Sequence, residues 1–286
     1  MALCQVVKED NQWYNGGDGL CSLSDAFVAR RLANMSNIIS IHSFRGGTGK
    51  SNLSANISAV IAQHGYKVGV VDTDIASPGI HVLFGMDDSK MDTALNDYLW
   101  GKCAIEDCAY DVSESVGLKP GRLFLIPSSI KPGEIARLLR EGYDVAMLSD
   151  GFNELIEQLS LDYLVIDTHP GVNEETILSI ALSNQLIIIL RPDQQDFQGT
   201  AVTLDVARKL DVPIMYLVVN KVLRRFMADI AQQVSDTYAC EVIGVLPLSE
   251  DVAALMSNGV FCVRFPDHEF SLRVNEIAKR LMWPGG

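Results

Sequence analysis

Apolar residues along this chain gather into short continuous runs rather than alternating ones. Seven stand out: IISI (38–41), VGVVD (68–72), RLFLIP (122–127), YLVID (163–167), LIIIL (186–190), IMYLVV (214–219) and VIGVLP (242–247). Runs of this kind, rich in Val, Ile and Leu, are what a strand covered on both faces requires. Between most of them the apolar period lengthens to that of a helix. SNLSANISAVIAQHG sets Leu53, Ile57, Val60 and Ile61 on one face, with Gly65 as a C-terminal cap. FNELIEQL, TAVTLDVARKL, MADIAQQVSDTYA (Met227, Ile230 and Val234 in step) and the closing FSLRVNEIAKRLMW repeat the pattern. Strands alternating with helices, without repeats or low-complexity linkers, predict one α/β domain over residues 37–286, with a doubly wound, mainly parallel sheet. Its ligands are expected at the carboxyl ends of the strands. Residues 1–36 read as an N-terminal extension, with NGGDG turn-forming and DAFVARRLANM a short amphipathic helix. Met35 stands as an alternative start, and a true addition to the domain is the other reading.

Candidate chemistry begins in the first strand-to-helix connection, SFRGGTGKSN (43–52). Gly46, Gly47 and Gly49 allow backbone N–H groups to turn toward an anion, and the helix start adds its positive end. Lys50 supplies a point charge for terminal phosphates and Ser51 a hydroxyl for Mg²⁺. Thr48 and Asn52 complete the stretch that would cradle a nucleotide. The pattern G-x-x-x-x-G-K-[ST] is met except at its first glycine, where Phe44 stands.

Other strand ends add carboxylates. VGVVDTD brings Asp72 and Asp74 to the same side if the strand continues, where a carboxylate can orient water or hold a Mg²⁺-bound water. LDYLVIDTHPG ends in Asp167, placed to order the Mg²⁺ shell opposite Ser51. His169, in the following turn, reads as a packed or solvated loop histidine and receives no role, although a phosphate sensor or proton relay is conceivable there. VVNKV and GVLPLSED bring Asn220 and Pro247 to two further strand ends. Asn220-Lys221 also begins the guanine motif N-K-x-D, but Leu223 stands where its Asp belongs, so ATP is favoured over GTP.

Taken together, these segments resemble the MinD/ParA family of P-loop ATPases, whose variant loop reads x-K-G-G-x-G-K-[ST]. The resemblance spans roughly residues 36–283 and departs at Arg45, which replaces the signature lysine, and at His169, where proline is common. It implies that Asp74 carries hydrolysis, that Asn220 reads the purine edge, and that the loop at Pro247 packs on the ring. It also implies a sandwich dimer in which the residue at position 45 reaches the partner's phosphates. Arginine keeps the charge and adds a fork of donors, but it is not an ammonium. Arg45 thus either replaces the lysine in full, preserves an ATP-bound dimer with impaired turnover, or is a solvated residue on a monomer; the first is preferred.

Charge and composition narrow the partners. With 36 acidic against 23 basic residues the net charge is −13, which opposes DNA and an anionic membrane as default partners. Arg224-Arg225 with Lys221 is the sole basic cluster and reads as a solvated helix start. No apolar run approaches the roughly 20 residues of a membrane span, no membrane-targeting helix follows Trp283, and the N-terminus lacks the features of a signal peptide, so a cytoplasmic location is expected. The six cysteines are then reduced thiols, and C-x4-C at Cys103 and Cys108, without a second pair, reads as structural rather than as an iron–sulfur site. The expectation is a Mg²⁺-dependent ATP-hydrolysing switch with ATP-dependent homodimerisation and an unidentified protein partner. The alternatives are a nucleotide-dependent binding module with negligible turnover and an ATP-dependent ligase of the dethiobiotin synthetase kind.

Overall fold

The computed structural model describes residues 36–283 and, ahead of them, the backbones of two short strands, Trp13–Tyr14 and Leu20–Cys21. Residues 1–36 and 37–286 separate as two compact units. In the first, the two strands pair antiparallel with Trp13 opposite Cys21; the amphipathic helix expected over 25–35 lies outside the described residues.

The second unit is built on an eight-stranded sheet. Its strands are β1 (Asn37–His42), β2 (Lys67–Asp72), β3 (Tyr110–Asp111), β4 (Arg122–Ile126), β5 (Tyr163–Asp167), β6 (Gln185–Leu190), β7 (Ile214–Val222) and β8 (Glu241–Pro247). Their order across the sheet is β8-β7-β6-β1-β5-β2-β4-β3, with every neighbouring pair parallel except β3 against β4. The longer helices are α1 (Lys50–Gln63), α2 (Pro132–Glu141), α3 (Ala146–Leu159), α4 (Glu174–Ala181), α5 (Gln194–Lys209), α6 (Ile230–Tyr238) and α7 (Glu269–Met282).

Burial on both faces explains the continuous apolar runs. Ile187 and Ile189 of β6 join the cluster containing Leu53, Ile57 and Ile61 of α1 and Val274 and Ile277 of α7. Leu186, Ile188 and Leu190 of the same strand face Leu204 of α5 and Ile230 and Val234 of α6. Every residue of β6 is therefore buried, each large aliphatic contributing about 1.5–3 kcal/mol. The doubly wound, mainly parallel α/β sheet is the one the sequence pattern implies. Edges differ in three places that matter. β2 ends at Asp72, so Asp74 lies in the loop beyond it and the two are not side by side on a strand. β7 runs on to Val222, which puts Asn220 and Lys221 within its last turn of pairing rather than after it. The two-residue β3 carries no period of its own and was not legible.

Candidate nucleotide site

β1, β5 and β2 lie side by side in the sheet, and their carboxyl ends set the geometry of the site: Ile41 pairs with Asp167, and Asp167 with Asp72. The loop after β1 turns through left-handed backbone at Gly47 (φ +78°) and Gly49 (φ +96°), conformations that favour glycine. A Cβ added at Gly46 or Gly47 would meet open space, so the cradle is unfilled by protein. The far side of the loop is gripped by β7: Asn220 Nδ2 donates to the Thr48 carbonyl at 2.8 Å, and Lys221 Nζ to the Gly47 carbonyl at 2.7 Å. Drawing these carbonyls aside leaves the cradle to N–H groups and the start of α1, which suits an anion. The Phe44 ring lies on the bare backbone of Gly199 in α5, where a Cβ would come within 2.2 Å of it.

Behind the cradle sits a buried charged cluster. Lys50, 7% exposed, places Nζ 2.8 Å from Oδ1 of Asp167, which is 1% exposed. The same oxygen accepts from Ser54 Oγ at 2.8 Å, one helical turn beyond Lys50. In this state Lys50 is thus drawn to Asp167 rather than held at the loop mouth. Oδ2 of Asp167 is buried without a protein partner. Asp72, wholly buried beside it, is pushed up to about 7, first by burial and then by the Asp167 charge. Its oxygens accept from the amides of Asp74 (3.0 Å) and Gly79 (3.2 Å), so Asp72 anchors the loop that carries Asp74.

Asp74 turns its Oδ1 to the Ser77 amide (3.2 Å) and to Nδ1 of His169 (2.6 Å). His169 comes from the loop after β5, so this contact joins two loops that flank the site. His42 closes β1 below them. Thr168 spends its one proton on the Ile41 carbonyl (3.1 Å), so His42 Nδ1 must donate to Thr168 Oγ1 (2.8 Å). Its Nε2 is buried without a partner, and the ring is lowered to about 3 by burial, then by Lys50 and His169.

Arg45 is 40% exposed and points back onto its own chain, 3.7 Å from Asp196 and 3.9 Å from Asp193 at the start of α5. Arg191 holds the same two carboxylates, at 3.0 Å and 3.2 Å. The guanidinium is thus both partly solvated and loosely ion-paired within its own chain, and all three readings of Arg45 stay open.

Beside Gly49 a cavity of about 250 Å³ opens, lined by Asn52, Asn220, Pro247, Leu248, Val252 and Phe270. Asn220 and Pro247 are the residues expected there, and Asn52 extends to it from the cradle; the apolar walls come from Leu248 just after β8, from Val252 in the short helix Glu250–Ala254 and from Phe270 of α7. The donor set fits a small hard cation with phosphate: a hydroxyl at Ser51 in the first turn of α1, and on Asp167 a buried carboxylate oxygen with no protein partner. Among the residues around the cradle, Ser54, His42, Thr168, Lys221 and His169 were not assigned from sequence. His169 and Lys221 are conspicuous in the sequence without a role attached, and the spacing of four between Lys50 and Ser54 is the signal that could have found Ser54.

Comparison with known proteins agrees with this geometry. The profile of a family described as an AAA domain matches residues 36–213. An uncharacterised ATP-binding protein of Methanocaldococcus jannaschii is 27% identical over 250 residues, covering 87% of this chain and 88% of its own. An iron–sulfur cluster carrier protein of Clostridium perfringens is 25% identical, covering 85% and 87%. Among solved structures, the septum site-determining protein MinD of Pyrococcus horikoshii, complexed with Mg-ADP, superposes with a TM-score of 0.74 at 22% identity, covering 88% of this chain and 98% of that one.

Proposed function

The chain belongs to the AAA-domain family of MinD/ParA-type P-loop ATPases, and on that premise we propose that it is a Mg²⁺-dependent, ATP-hydrolysing switch that closes as a homodimer and presents the closed state to a protein partner. The observation that carries this reading is the continuity of cradle and cavity. The glycine loop at the start of α1 opens beside a cavity of about 250 Å³ with Asn220 and Pro247 in its wall. Phosphates would lie on the amides of Gly46, Gly47, Thr48 and Gly49, with the base among Asn52, Asn220 and Pro247. Ser51 and Asp167 would hold Mg²⁺, which neutralises phosphate charge when bound; Asp74 would hold one of its waters.

Lys50 would then exchange Asp167 for the terminal phosphates. Asp74 would orient the attacking water, and hydrolysis would reopen the dimer. Arg45 would leave Asp193 and Asp196 for the partner subunit's phosphates. At separations of 3.7–3.9 Å and 40% exposure, that tether costs about 0–1 kcal/mol to release. Contacts to the terminal phosphate, lost on hydrolysis, supply the differential affinity that any such switch needs.

The alternative, a nucleotide-dependent module with negligible turnover, is favoured by one observation: Oδ1 of Asp74 is taken up by Ser77 and His169, which leaves Oδ2 alone to meet a water. An iron–sulfur carrier role, named for several relatives, finds less support. Among the described residues Cys103 and Cys108 are the close pair (Sγ to Sγ 3.5 Å), yet Cys108 is buried and its thiol is pushed up by burial. A cluster is held by thiolates, which such burial disfavours.

The test is molar mass by light scattering with Mg²⁺·ATP and then Mg²⁺·ADP. The switch reading expects a dimer with ATP, a monomer with ADP, and no ATP-induced dimer for Arg45→Ala. A mass indifferent to nucleotide would remove the sandwich dimer. Turnover assayed alongside separates the switch from the binding module.

A further inference from the structure

The contact between His169 and Asp74 is not required by the fold. The two residues are 95 positions apart and sit on loops that the sheet merely brings close. His169 is 30% exposed and Asp74 12% exposed, so neither is forced together by core packing. The separation of 2.6 Å is nonetheless that of a strong, charge-assisted hydrogen bond. A carboxylate only accepts, so Nδ1 of His169 carries the proton.

The surroundings hold both partners in place. The Asp74 loop is tied by the Asp74 and Gly79 amides to Asp72, and Ser77 donates to the same Asp74 oxygen that His169 meets. The His169 loop is tied by its own carbonyl, which accepts from Thr176 Oγ1 at 3.2 Å in α4. Thr73 already ties the start of the Asp74 loop to the end of β5, its amide (3.0 Å) and Oγ1 (3.1 Å) both donating to the Asp167 carbonyl; one residue further along, the imidazole adds a link from side chain to side chain. A second cavity of about 250 Å³ opens against it, with Thr73, Ile75, Tyr143 and Asn173 among its walls, so the link is reachable from solvent.

The geometry points to His169 as a positioning residue for hydrolysis: its Nδ1–H holds the Asp74 carboxylate in one rotamer and fastens the loop after β5 to the loop after β2. This rests on the reading that Asp74 carries hydrolysis. A hydrolytic carboxylate has three freedoms to lose before it can orient a water: the torsions χ1 and χ2 and the position of its loop. Ser77, on the same loop, moves with Asp74; Asp72 holds the loop's backbone from β2, and His169 adds a hold on the carboxylate itself from the loop after β5. Displacement of a positioned group by about 1 Å costs on the order of 100-fold in rate. The residue is therefore expected to act on turnover and not on ATP affinity, since its side chain bonds Asp74 and not the glycine loop.

The experiment compares the wild type with His169→Ala, His169→Asn, His169→Gln and Asp74→Asn, all as full chains whose folding is checked by thermal unfolding. Asn places its amide where Nδ1 stands, whereas Gln reaches toward Nε2. Expected are a fall in kcat of about 10- to 100-fold for Ala and Gln with the KM for ATP unchanged, recovery to within about threefold for Asn, and loss of turnover for Asp74→Asn. Hydrogen exchange over residues 73–79 gives a readout independent of chemistry: faster exchange in Ala, near wild-type exchange in Asn. Wild-type kcat in His169→Ala, with Asp74→Asn inactive, overturns the positioning role alone. So does rescue by Gln as good as by Asn. Retained turnover in Asp74→Asn overturns the reading of Asp74 and the proposal with it. A wild type without turnover overturns the catalytic role, and exchange then still decides whether the link between the loops exists.

Discussion

Replacing Lys50 by alanine is expected to unfold this protein more readily, not only to abolish nucleotide binding. Phosphate-loop lysines are usually considered for their ligand, but here Nζ lies 2.8 Å from Asp167 with both side chains under 10% exposed. Removing the cation leaves Asp167 and Asp72 facing each other across paired strands without a compensating charge. Breaking a buried pair from one side costs about 3–5 kcal/mol, a large share of a typical domain's stability. For a unit of this size that is a fall in Tm on the order of 10 °C. The pH dependence follows from Asp72, whose folded value is already raised to about 7 from an ordinary 3.8, chiefly by burial. A raised acid contributes stability that is full below 3.8 and is lost as pH climbs to about 7. Without Lys50, which lowers it, the rise would be larger, so the penalty of Lys50→Ala should grow from pH 5 to pH 8. Asp167→Asn in the same chain should recover most of it. Denaturant unfolding of the single and double variants at both pH values measures this. A cost under about 1 kcal/mol, or one flat in pH, would refute the claim that Lys50 balances the buried carboxylates in the resting state.

Two further outcomes follow from neighbouring contacts. Gly199→Ala sets a methyl 2.2–2.6 Å from Phe44 and should cost about 1–3 kcal/mol while weakening ATP binding; Phe44→Ala should cancel much of that loss, and a double-mutant cycle that proves additive would deny the contact. His42 is held neutral, at about 3 against an ordinary 6.5, so its contribution is full above 6.5 and is lost as pH falls toward 3. At pH 5 this amounts to about 2 kcal/mol. Relative to the wild type, His42→Asn, which keeps the donor to Thr168, should lose about that much less stability between pH 7 and pH 5 in chemical denaturation.

The extent to which the sequence announced this molecule depends on the range of each interaction. The seven strands were legible because a sheet covered twice leaves no polar face, so each writes an unbroken apolar word such as LIIIL. The cradle was legible because backbone conformation is local, and glycines at 47 and 49 declare it. What escaped notice was mostly long-range. The pairing of Lys50 with Asp167, of Phe44 with Gly199, and of Asp74 with His169 each spans about a hundred residues or more. Proximity of that kind is a property of strand order, which the apolar runs do not state. Asp74 shares a side with Asp72 only if the strand continues, and the end of β2 at Asp72 leaves it in the loop where His169 reaches it.

The grip of β7 on the glycine loop has a consequence for the way a nucleotide would be read. Asn220 and Lys221 face the base-sized cavity, yet their amide and ammonium groups are spent on the carbonyls of Thr48 and Gly47. Both ends of the ligand would thus bear on the same two hydrogen bonds. A base that drew on Asn220 would tug the peptide planes that face the phosphates, and a triphosphate that ordered those planes would in turn set Asn220 for the base. Recognition of the two moieties is then cooperative, so the free energies of binding inorganic triphosphate and adenosine separately should not sum to that of ATP, even after the entropy of joining them is counted.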